Sequence, residues 1–521
     1  MGFLCWIAFV PLLAYIHAEP NLKKIFLHSW LAGALFYFAA MFWLRNVTWA
    51  GLFISSFAPT GIHFALFALI YKKLFQPRKK WARVIGVPVC WTAVEYLSTL
   101  WITAFPWFLT GYSQFYFKPF IQICDMVGVQ GLSLLIMLAN AVLVEIVLYR
   151  KTPAPEEENK TDRISWPGRL KAGFNANRLY LAVPVLLVVL STIYGIMRLN
   201  ALQIVRGPKI GIVQGNIPQS VKDTNLSIND VFNIHNRHLE LSKELLPQKP
   251  DLIVWAETMY MFPIGRHREN EEHLKNTAAK ELRLPILFGA NTVEKAPRGR
   301  ERYYNSAYYY DPSAGELQRY DKINLVLVSE YLPLKDDFPS IEEFVLKFTE
   351  LKQLPGLTPG REQRVFALPY NDRKDNAKFG VLICFESIFP GLARQLMDKG
   401  ADFIITISND GWFRDSCELE QISQITAFRA IENRTGIARA TNTGISAFFL
   451  PDGSFETLSQ NGRIKEFAGS MCKTVALAKG RTIYASFGYT LPFLCLAVIT
   501  VLLAKIVFKF LLTLFKIKLL S

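Results

Sequence analysis

Phe379-Gly380-Val381-Leu382-Ile383-Cys384 is a short, unbroken apolar run that stops at a cysteine, and Pro390 marks the start of a helix a few residues on. Runs of this length and composition, bounded by turn formers, read as buried strands. Asp251-Leu252-Ile253-Val254-Trp255-Ala256, closed by Glu257, reads the same way, as do Lys209–Gln214 and residues 285–290 and 402–408. Between them, 232–246 has helical spacing. Strands alternating with amphipathic helices predict an α/β fold in which helices cover sheets. Three chemically able residues fall where strands end, the usual place for a site in such a fold. They are Glu257, Cys384 and Lys322, the last following the strand-like stretch 303–310 and the turn Asp311-Pro312-Ser313-Ala314-Gly315.

A cysteine, a glutamate and a lysine gathered at strand ends can form a complete acyl-transfer site. The thiolate attacks a carbonyl carbon and becomes a thioester, which splits one hard step into two easier ones. The carboxylate takes the thiol proton and later activates the second substrate. The ammonium stabilises the oxyanion and lowers the thiol pKa. Singly, each residue also has an ordinary reading: buried filler for the cysteine, a strand terminus for the glutamate, a surface charge for the lysine. The motifs around them, rather than their order, single out the trio.

Outward from this core the composition changes. Hydrophobic residues make up 51% of the 521-residue chain and charged ones 19%, which is too apolar for an ordinary soluble protein. The excess lies in blocks within 1–198 and 485–515, whereas 205–480 reads as a globular domain. A membrane span needs roughly 20 mainly apolar residues. Seven stretches are candidates: 1–16, 25–45, 51–71, 84–104, 126–149, 179–198 and 485–508. The first lacks a basic n-region and a small-residue cleavage site, so it reads as a span and not a signal peptide. The expected division is therefore residues 1–204 with six spans, a globular domain at 205–480, and a last span with a basic tail at 481–521.

The net charge of +15 suggests nucleic acid, but no groove-reading motif accompanies it. Much of it sits in short loops beside apolar blocks. One such loop holds Lys72, Lys73, Arg78, Lys79, Lys80 and Arg83; the next basic one holds Arg150, Lys151, Lys160, Arg163, Arg169, Lys171 and Arg178. The C-terminal end adds Lys505, Lys509, Lys516 and Lys518, while loops 46–50 and 105–125 are nearly free of Lys and Arg. Basic loops face the cytoplasm, so the 205–480 domain is expected on the opposite side. The seven cysteines form no CxxC pair and no His/Cys spacing of a zinc site.

Two features of the apolar part go beyond an anchor. Phe105-Pro106-Trp107-Phe108-Leu109-Thr110-Gly111-Tyr112 is an aromatic loop on the side of the globular domain, readable as an interfacial belt or as a lipid-facing part of the site. Glu95 falls within a span, where a carboxylate is either functional or paired with a neighbouring helix.

Val254-Trp255-Ala256-Glu257-Thr258, Tyr320-Asp321-Lys322 and Ile383-Cys384-Phe385-Glu386 resemble the motifs of the nitrilase (carbon–nitrogen hydrolase) superfamily. The resemblance continues through Ser408-Asn409-Asp410-Gly411-Trp412-Phe413, Arg429–Arg434, Arg439–Ser446 and Pro451-Asp452-Gly453. With the spans, the opening Gln214-Gly215-Asn216-Ile217-Pro218-Gln219 and the 105–114 loop, the chain is similar to the membrane branch of that superfamily, the apolipoprotein N-acyltransferases. That resemblance implies a multi-span α-helical membrane domain joined to an αββα sandwich, with the triad on Glu257, Lys322 and Cys384. It implies supporting roles for Glu330 and Glu386, and substrate contacts at Trp412, Gln214 and Trp107. Lys335 lies outside the Tyr-x-Lys motif and receives no role. The implied reaction moves a fatty acyl chain from a phospholipid to the amine of a diacylglyceryl-cysteine at an apolipoprotein N-terminus, through a thioester and without cofactor. The implied setting is a monomer in a bacterial inner membrane, with its catalytic domain in the periplasm.

The chain also departs from the family pattern. The family has one span more than the seven read here, so the N-terminus is expected outside the cytoplasm. Residues 323–329 lack the usual His and Pro-Phe-Gly, 419–422 lack a common histidine, and Phe385 stands where Tyr is usual. Two rival readings remain: a membrane-tethered amidase hydrolysing a small amide, and a transporter or binding protein with relic residues. The absence of an internal repeat and the intact Glu/Lys/Cys set weigh against the second.

Overall fold

The computed structural model describes residues 2–520 apart from 101–103, 150–165, 223–225, 297–299, 328, 333–339, 341–345, 348–355 and 372. Lys335 and the loop cations Arg150, Lys151, Lys160 and Arg163 therefore lie outside the described residues. The chain divides into two compact units, one made of 1–40, 53–201 and 487–521, the other of Met41–Leu52 and Leu202–Ser486.

The first unit is helical. Among the described residues four helices are long and apolar enough to cross a membrane: Trp49–Leu74, Cys124–Val147, Trp166–Asn200 and Thr490–Thr513. Three further stretches read as spans form helices at Val10–Ala18, Leu22–Ala40 and Lys80–Leu97 that fall short of that measure. The first is short, the second opens on Lys23 and Lys24, and the third carries Lys80, Arg83 and Glu95. The helix expected at 179–198 instead starts at Trp166, so Arg169, Lys171 and Arg178 sit on its first turns and not in a loop.

Several carboxylates within this unit are matched, as an apolar surrounding favours. Arg83 grips both oxygens of Glu145 at 2.7 and 2.8 Å. Asp125 accepts from Tyr194 at 2.8 Å and Arg198 at 2.9 Å. Glu95 Oε1 accepts from the Trp91 indole at 2.9 Å and from the backbone N–H of Thr110 at 2.7 Å. Those bonds tie the 105–112 loop to the Lys80–Leu97 helix, which gives Glu95 a structural use.

The second unit is an αββα sandwich. One sheet has the order β13-β1-β2-β4-β5-β6, with β3 beside β4. Its strands are β1 (Val205–Gln214), β2 (Leu252–Trp255), β3 (Tyr260–Ile264), β4 (Ile286–Lys295), β5 (Glu301–Tyr310), β6 (Leu317–Asp321) and β13 (Gly469–Leu477). The other has the order β12-β11-β10-β9-β8-β7, built from β7 (Val365–Tyr370), β8 (Asp375–Ile383), β9 (Phe403–Ser408), β10 (Ile437–Thr441), β11 (Ala447–Phe449) and β12 (Phe455–Thr457). β1, β2 and β4 run parallel, as do β8, β9 and β10.

Side-chain alternation explains the layering. Ile210, Ile212, Leu252 and Val254 from one sheet share a fully buried core with Phe379, Val381, Ile405 and Ile407 from the other. The alternate residues Val213, Ile253 and Trp255 face outward into a second core that includes Ile234 of the helix Ile228–Lys243. On the far side Leu396 of the helix Pro390–Asp398 lies over Gly380, where a Cβ would meet its Cδ2 at 2.5 Å. Each large aliphatic or aromatic side chain so buried contributes about 1.5–3 kcal/mol.

Candidate active site

Three strand ends converge. β2 leads into Glu257, and the next residue, Thr258, takes a left-handed backbone at φ +54°. β8 leads into Cys384, itself left-handed at φ +52°, which opens a short 3₁₀ turn Cys384–Ile388. A non-glycine residue held in this region costs of order 1–3 kcal/mol and persists where its surroundings over-determine it. Lys322 follows β6, its backbone held by N–H donation to Asn305 O at 2.9 Å and by acceptance from Gly360 N at 2.8 Å.

The side chains of Glu257, Lys322 and Glu330 form one buried ionic group. Lys322 Nζ lies 3.3 Å from Glu257 Oε1 and 2.8 Å from Glu330 Oε1. Asn305, in the middle of β5, donates from Nδ2 to the same two oxygens at 2.7 and 3.2 Å. Glu257 Oε2 accepts the backbone N–H of Asn409 at 2.7 Å, and Glu330 Oε2 accepts that of Val326 at 2.8 Å. All four carboxylate oxygens are thus engaged. The Glu257 backbone packs against Gly289 of β4, where a Cβ would meet Glu257 Cα at 2.6 Å and Thr258 N at 2.4 Å.

The electrostatics divide the labour. Burial raises the Glu257 pKa, but Lys322, Asn305 and the Asn409 N–H outweigh it, leaving Glu257 below its ordinary value and ionised at neutral pH. Burial lowers the Lys322 pKa, yet Glu330, Glu257 and Cys384 more than offset that, so the ammonium keeps its proton. Burial pushes the Cys384 thiol well up, and Glu257 adds to this against the pull of Lys322. The resting state is therefore a neutral thiol beside an ionised carboxylate and a fixed ammonium.

Glu386 is fully buried and couples two strand ends. Its Oε1 accepts from Tyr320 Oη at 2.8 Å, Ile323 N at 2.7 Å and Asn324 N at 3.2 Å, and its Oε2 accepts from Ile383 N at 2.8 Å. One carboxyl group thereby sets the Lys322 loop against the Cys384 turn. Behind them Asp410 accepts from Ser408 Oγ and from Arg439 Nη2, the latter at 2.9 Å.

The remaining residues singled out in the sequence lie elsewhere. Trp412 ends the turn Asp410–Trp412 and is 40% exposed. Gln214 is buried with its amide committed inside the domain, to Phe467 O at 2.9 Å, Ser446 Oγ at 2.6 Å and Thr441 Oγ1 at 3.2 Å. Trp107 belongs to the helical unit, buried and stacked on Phe105 with centroids 5.5 Å apart. Asn305 was not singled out, although an amide among Tyr303, Tyr304, Tyr308 and Tyr309 in a strand is a signal in itself. Among the described residues no three His, Cys, Asp or Glu are grouped to hold a metal.

Comparison with known proteins adds to this geometry. Residues 1–142 match the family described as apolipoprotein N-acyltransferase N-terminal domain, and 209–466 match carbon-nitrogen hydrolase. A curated apolipoprotein N-acyltransferase of Geobacter metallireducens is 29% identical over 510 residues, covering 95% of this chain and 89% of that protein. One from Chlorobaculum tepidum is 27% identical over 474 residues, covering 86% and 81%. Apolipoprotein N-acyltransferase 2 of Treponema denticola is 29% identical over 475 residues, covering 89% and 82%. Among solved structures, an amidase from Nesterenkonia sp. is 16% identical, covers 53% of this chain and 94% of its own, and gives a TM-score of 0.35.

Proposed function

Because the chain belongs to the apolipoprotein N-acyltransferase family, a membrane branch of the carbon–nitrogen hydrolases, we propose that it transfers a fatty acyl chain from a phospholipid to an apolipoprotein. The acceptor is the N-terminal amine of the diacylglyceryl-cysteine, and the intermediate is a thioester on Cys384. The observation that carries the proposal is the buried Glu257–Lys322 pair acting on the Cys384 thiol.

In the first half-reaction the Cys384 thiol gives its proton to Glu257 as Sγ bonds to the ester carbonyl carbon. The developing oxyanion is stabilised by the Lys322 ammonium. Collapse breaks the acyl C–O bond, Glu257 returns the proton to the departing alkoxide, and a lysophospholipid leaves. In the second, the acceptor amine attacks the thioester carbon, Glu257 takes a proton from nitrogen, the C–S bond breaks to leave the amide, and that proton restores the Cys384 thiol. Every atom and proton is accounted for without a metal or organic cofactor. Glu330 and Asn305 hold the charged pair, and Glu386 holds the turn and the loop in register. Trp412, exposed and three residues along the chain from the Asn409 that anchors Glu257, is assigned to substrate contact.

The Lys and Arg loop pattern supports placing the catalytic unit on the periplasmic side of an inner membrane, where both substrates are at hand. We assign a single chain as the working unit. Mass spectrometry of lipoprotein N-termini, from cells with and without this protein, tests the function. An added fatty acyl amide that depends on the protein and vanishes with Cys384→Ala is expected. N-termini unchanged by its loss sink the proposal, and release of free fatty acid alone points to a hydrolase.

A further inference from the structure

The segment Met41–Leu52, which the sequence reads as the end of one span, the loop 46–50 and the start of the next span, belongs to the compact unit that holds the sandwich. It is fastened to the turn that follows Asn409. Trp43 is buried, packs edge-on against Phe413 with centroids 5.1 Å apart, and donates from Nε1 to Gln421 Oε1 at 3.1 Å. Asn46 donates from Nδ2 to Phe413 O at 2.9 Å. Each residue of that last bond has an exposed arginine beside it in the chain, Arg45 on one side and Arg414 on the other.

Neither arginine is ion-paired among the described residues. Of the carboxylates near Arg414 in sequence, Asp410 pairs with Arg439 at 2.9 Å, Lys465 holds Asp415 and Glu420, both at 2.6 Å, and Glu418 is buried, away from the exposed guanidinium. Arg45 lies over the Phe42 ring at 4.2 Å, and Phe42 meets Trp49 with centroids 6.0 Å apart. Phe42, Trp49 and Trp412 are 39%, 53% and 40% exposed. Arg414 is held at φ +50°, a backbone conformation uncommon for its type. Two exposed arginines with no ion pair among the described residues, each next in sequence to one end of a single hydrogen bond, and exposed aromatic residues in the same two segments match a phosphodiester joined to apolar chains. Arginine takes phosphate through paired N–H bonds, and tryptophan and phenylalanine sit well where headgroup meets acyl chain.

We infer that Arg45 and Arg414 form a headgroup clamp for the phosphodiester of the donor phospholipid, with Phe42, Trp49 and Trp412 against its glycerol and upper acyl chain. This rests on the acyl-transfer reading for its purpose, but it can be measured without chemistry. Arg414 lies on the same segment, after β9, whose Asn409 N–H holds Glu257.

Full-length Cys384→Ala protein in amphipol binds, without turnover, either dihexanoyl-phosphatidylglycerol or dihexanoylglycerol, which lacks the phosphate. Arg45→Gln with Arg414→Gln should weaken the phospholipid by at least ~10-fold, the scale of one or more lost charge-assisted bonds, and leave dihexanoylglycerol unchanged. Trp43→Phe, which keeps a ring against Phe413, should retain phospholipid binding. Equal affinity of the double variant and its parent overturns the clamp. Equal loss for both lipids also overturns it, since the arginines would then only shape the loop. Displacement of the lipid by inorganic phosphate at comparable concentration overturns the lipid as occupant. Failure of a protein with intact Cys384 to become acylated, with this binding pattern preserved, would count against the acyl-transfer reading alone.

Discussion

The two sheets of the sandwich arrive at the site with different equipment. The sheet holding β2, β5 and β6 brings the charges: Glu257 and Lys322 at strand ends, Asn305 within a strand, and Glu330 on the loop beyond. The sheet holding β8 and β9 brings Cys384, the proposed nucleophile, and two connectors, Glu386 reaching to the Lys322 loop and Asn409 reaching to Glu257. The charged set is complete within its own sheet. Cys384 has no carboxylate of its own sheet assigned as base in the proposed mechanism and depends there on how the sheets pack. A carboxylate paired in advance with an ammonium costs no reorganisation when the thiol arrives, which is the arrangement that favours electrostatic catalysis.

Removing what each sheet supplies is the hardest test of this contrast. Cys384→Ala should abolish acylation and transfer, while Cys417→Ala and Cys472→Ala retain both in a phospholipid-to-peptide assay. Glu257→Gln and Lys322→Ala should each lose at least ~100-fold in the acylation rate constant, with the protein still folded. A dead Cys417→Ala with an active Cys384→Ala would reverse the assignment.

Cutting a connector should do less than removing a reacting group. Glu386→Ala leaves three backbone N–H groups and the Tyr320 hydroxyl without their acceptor. A loss of about 1–3 kcal/mol in unfolding free energy is expected for each buried donor left unmade, though not additively. The rate should fall as well, because the Cys384 turn loses its register with the Lys322 loop. Full activity in Glu386→Ala would show that packing alone aligns the sheets.

A subtler change separates charge from position. Asn305→Ala removes a donor to the ionised form of Glu257, so the Glu257 pKa should rise. Acylation requires the carboxylate, so the acid limb of the rate–pH profile should shift to higher pH while the plateau changes little. An unmoved limb would mean that Lys322 and Asn409 alone keep Glu257 ionised. At the small end for activity, Ile405→Ala, fully buried between the sheets, should lower stability by about 2–5 kcal/mol and leave the rate per folded molecule unchanged.

Much of this was legible in the sequence, and the exceptions have physical causes. Strands such as Asp251–Ala256 and Phe379–Ile383 are apolar on both faces, so their ends, and with them Glu257 and Cys384, stand out. Asn305 sits mid-strand, and its value depends on a register with β6 that no local pattern encodes. Met41–Leu52 reads as two span ends around the short loop 46–50, and only its bonds to Phe413 and Gln421 show which unit it joins. The helix from Trp166 was read as starting late because its first turns carry Arg169, Lys171 and Arg178, which lower hydropathy without breaking a helix.

The central claim is that Cys384 carries the acyl group between two substrates, and the first half-reaction isolates it. Purified protein mixed with acyl-labelled phospholipid and no acceptor should gain one acyl chain on Cys384. The adduct should be cleaved by neutral hydroxylamine and should pass to a diacylglyceryl-cysteine peptide as a hydroxylamine-resistant amide. An N-acetylated peptide, whose nitrogen can no longer attack, should leave the adduct in place. No label on Cys384, or label lost to water as fast as to peptide, would contradict the account.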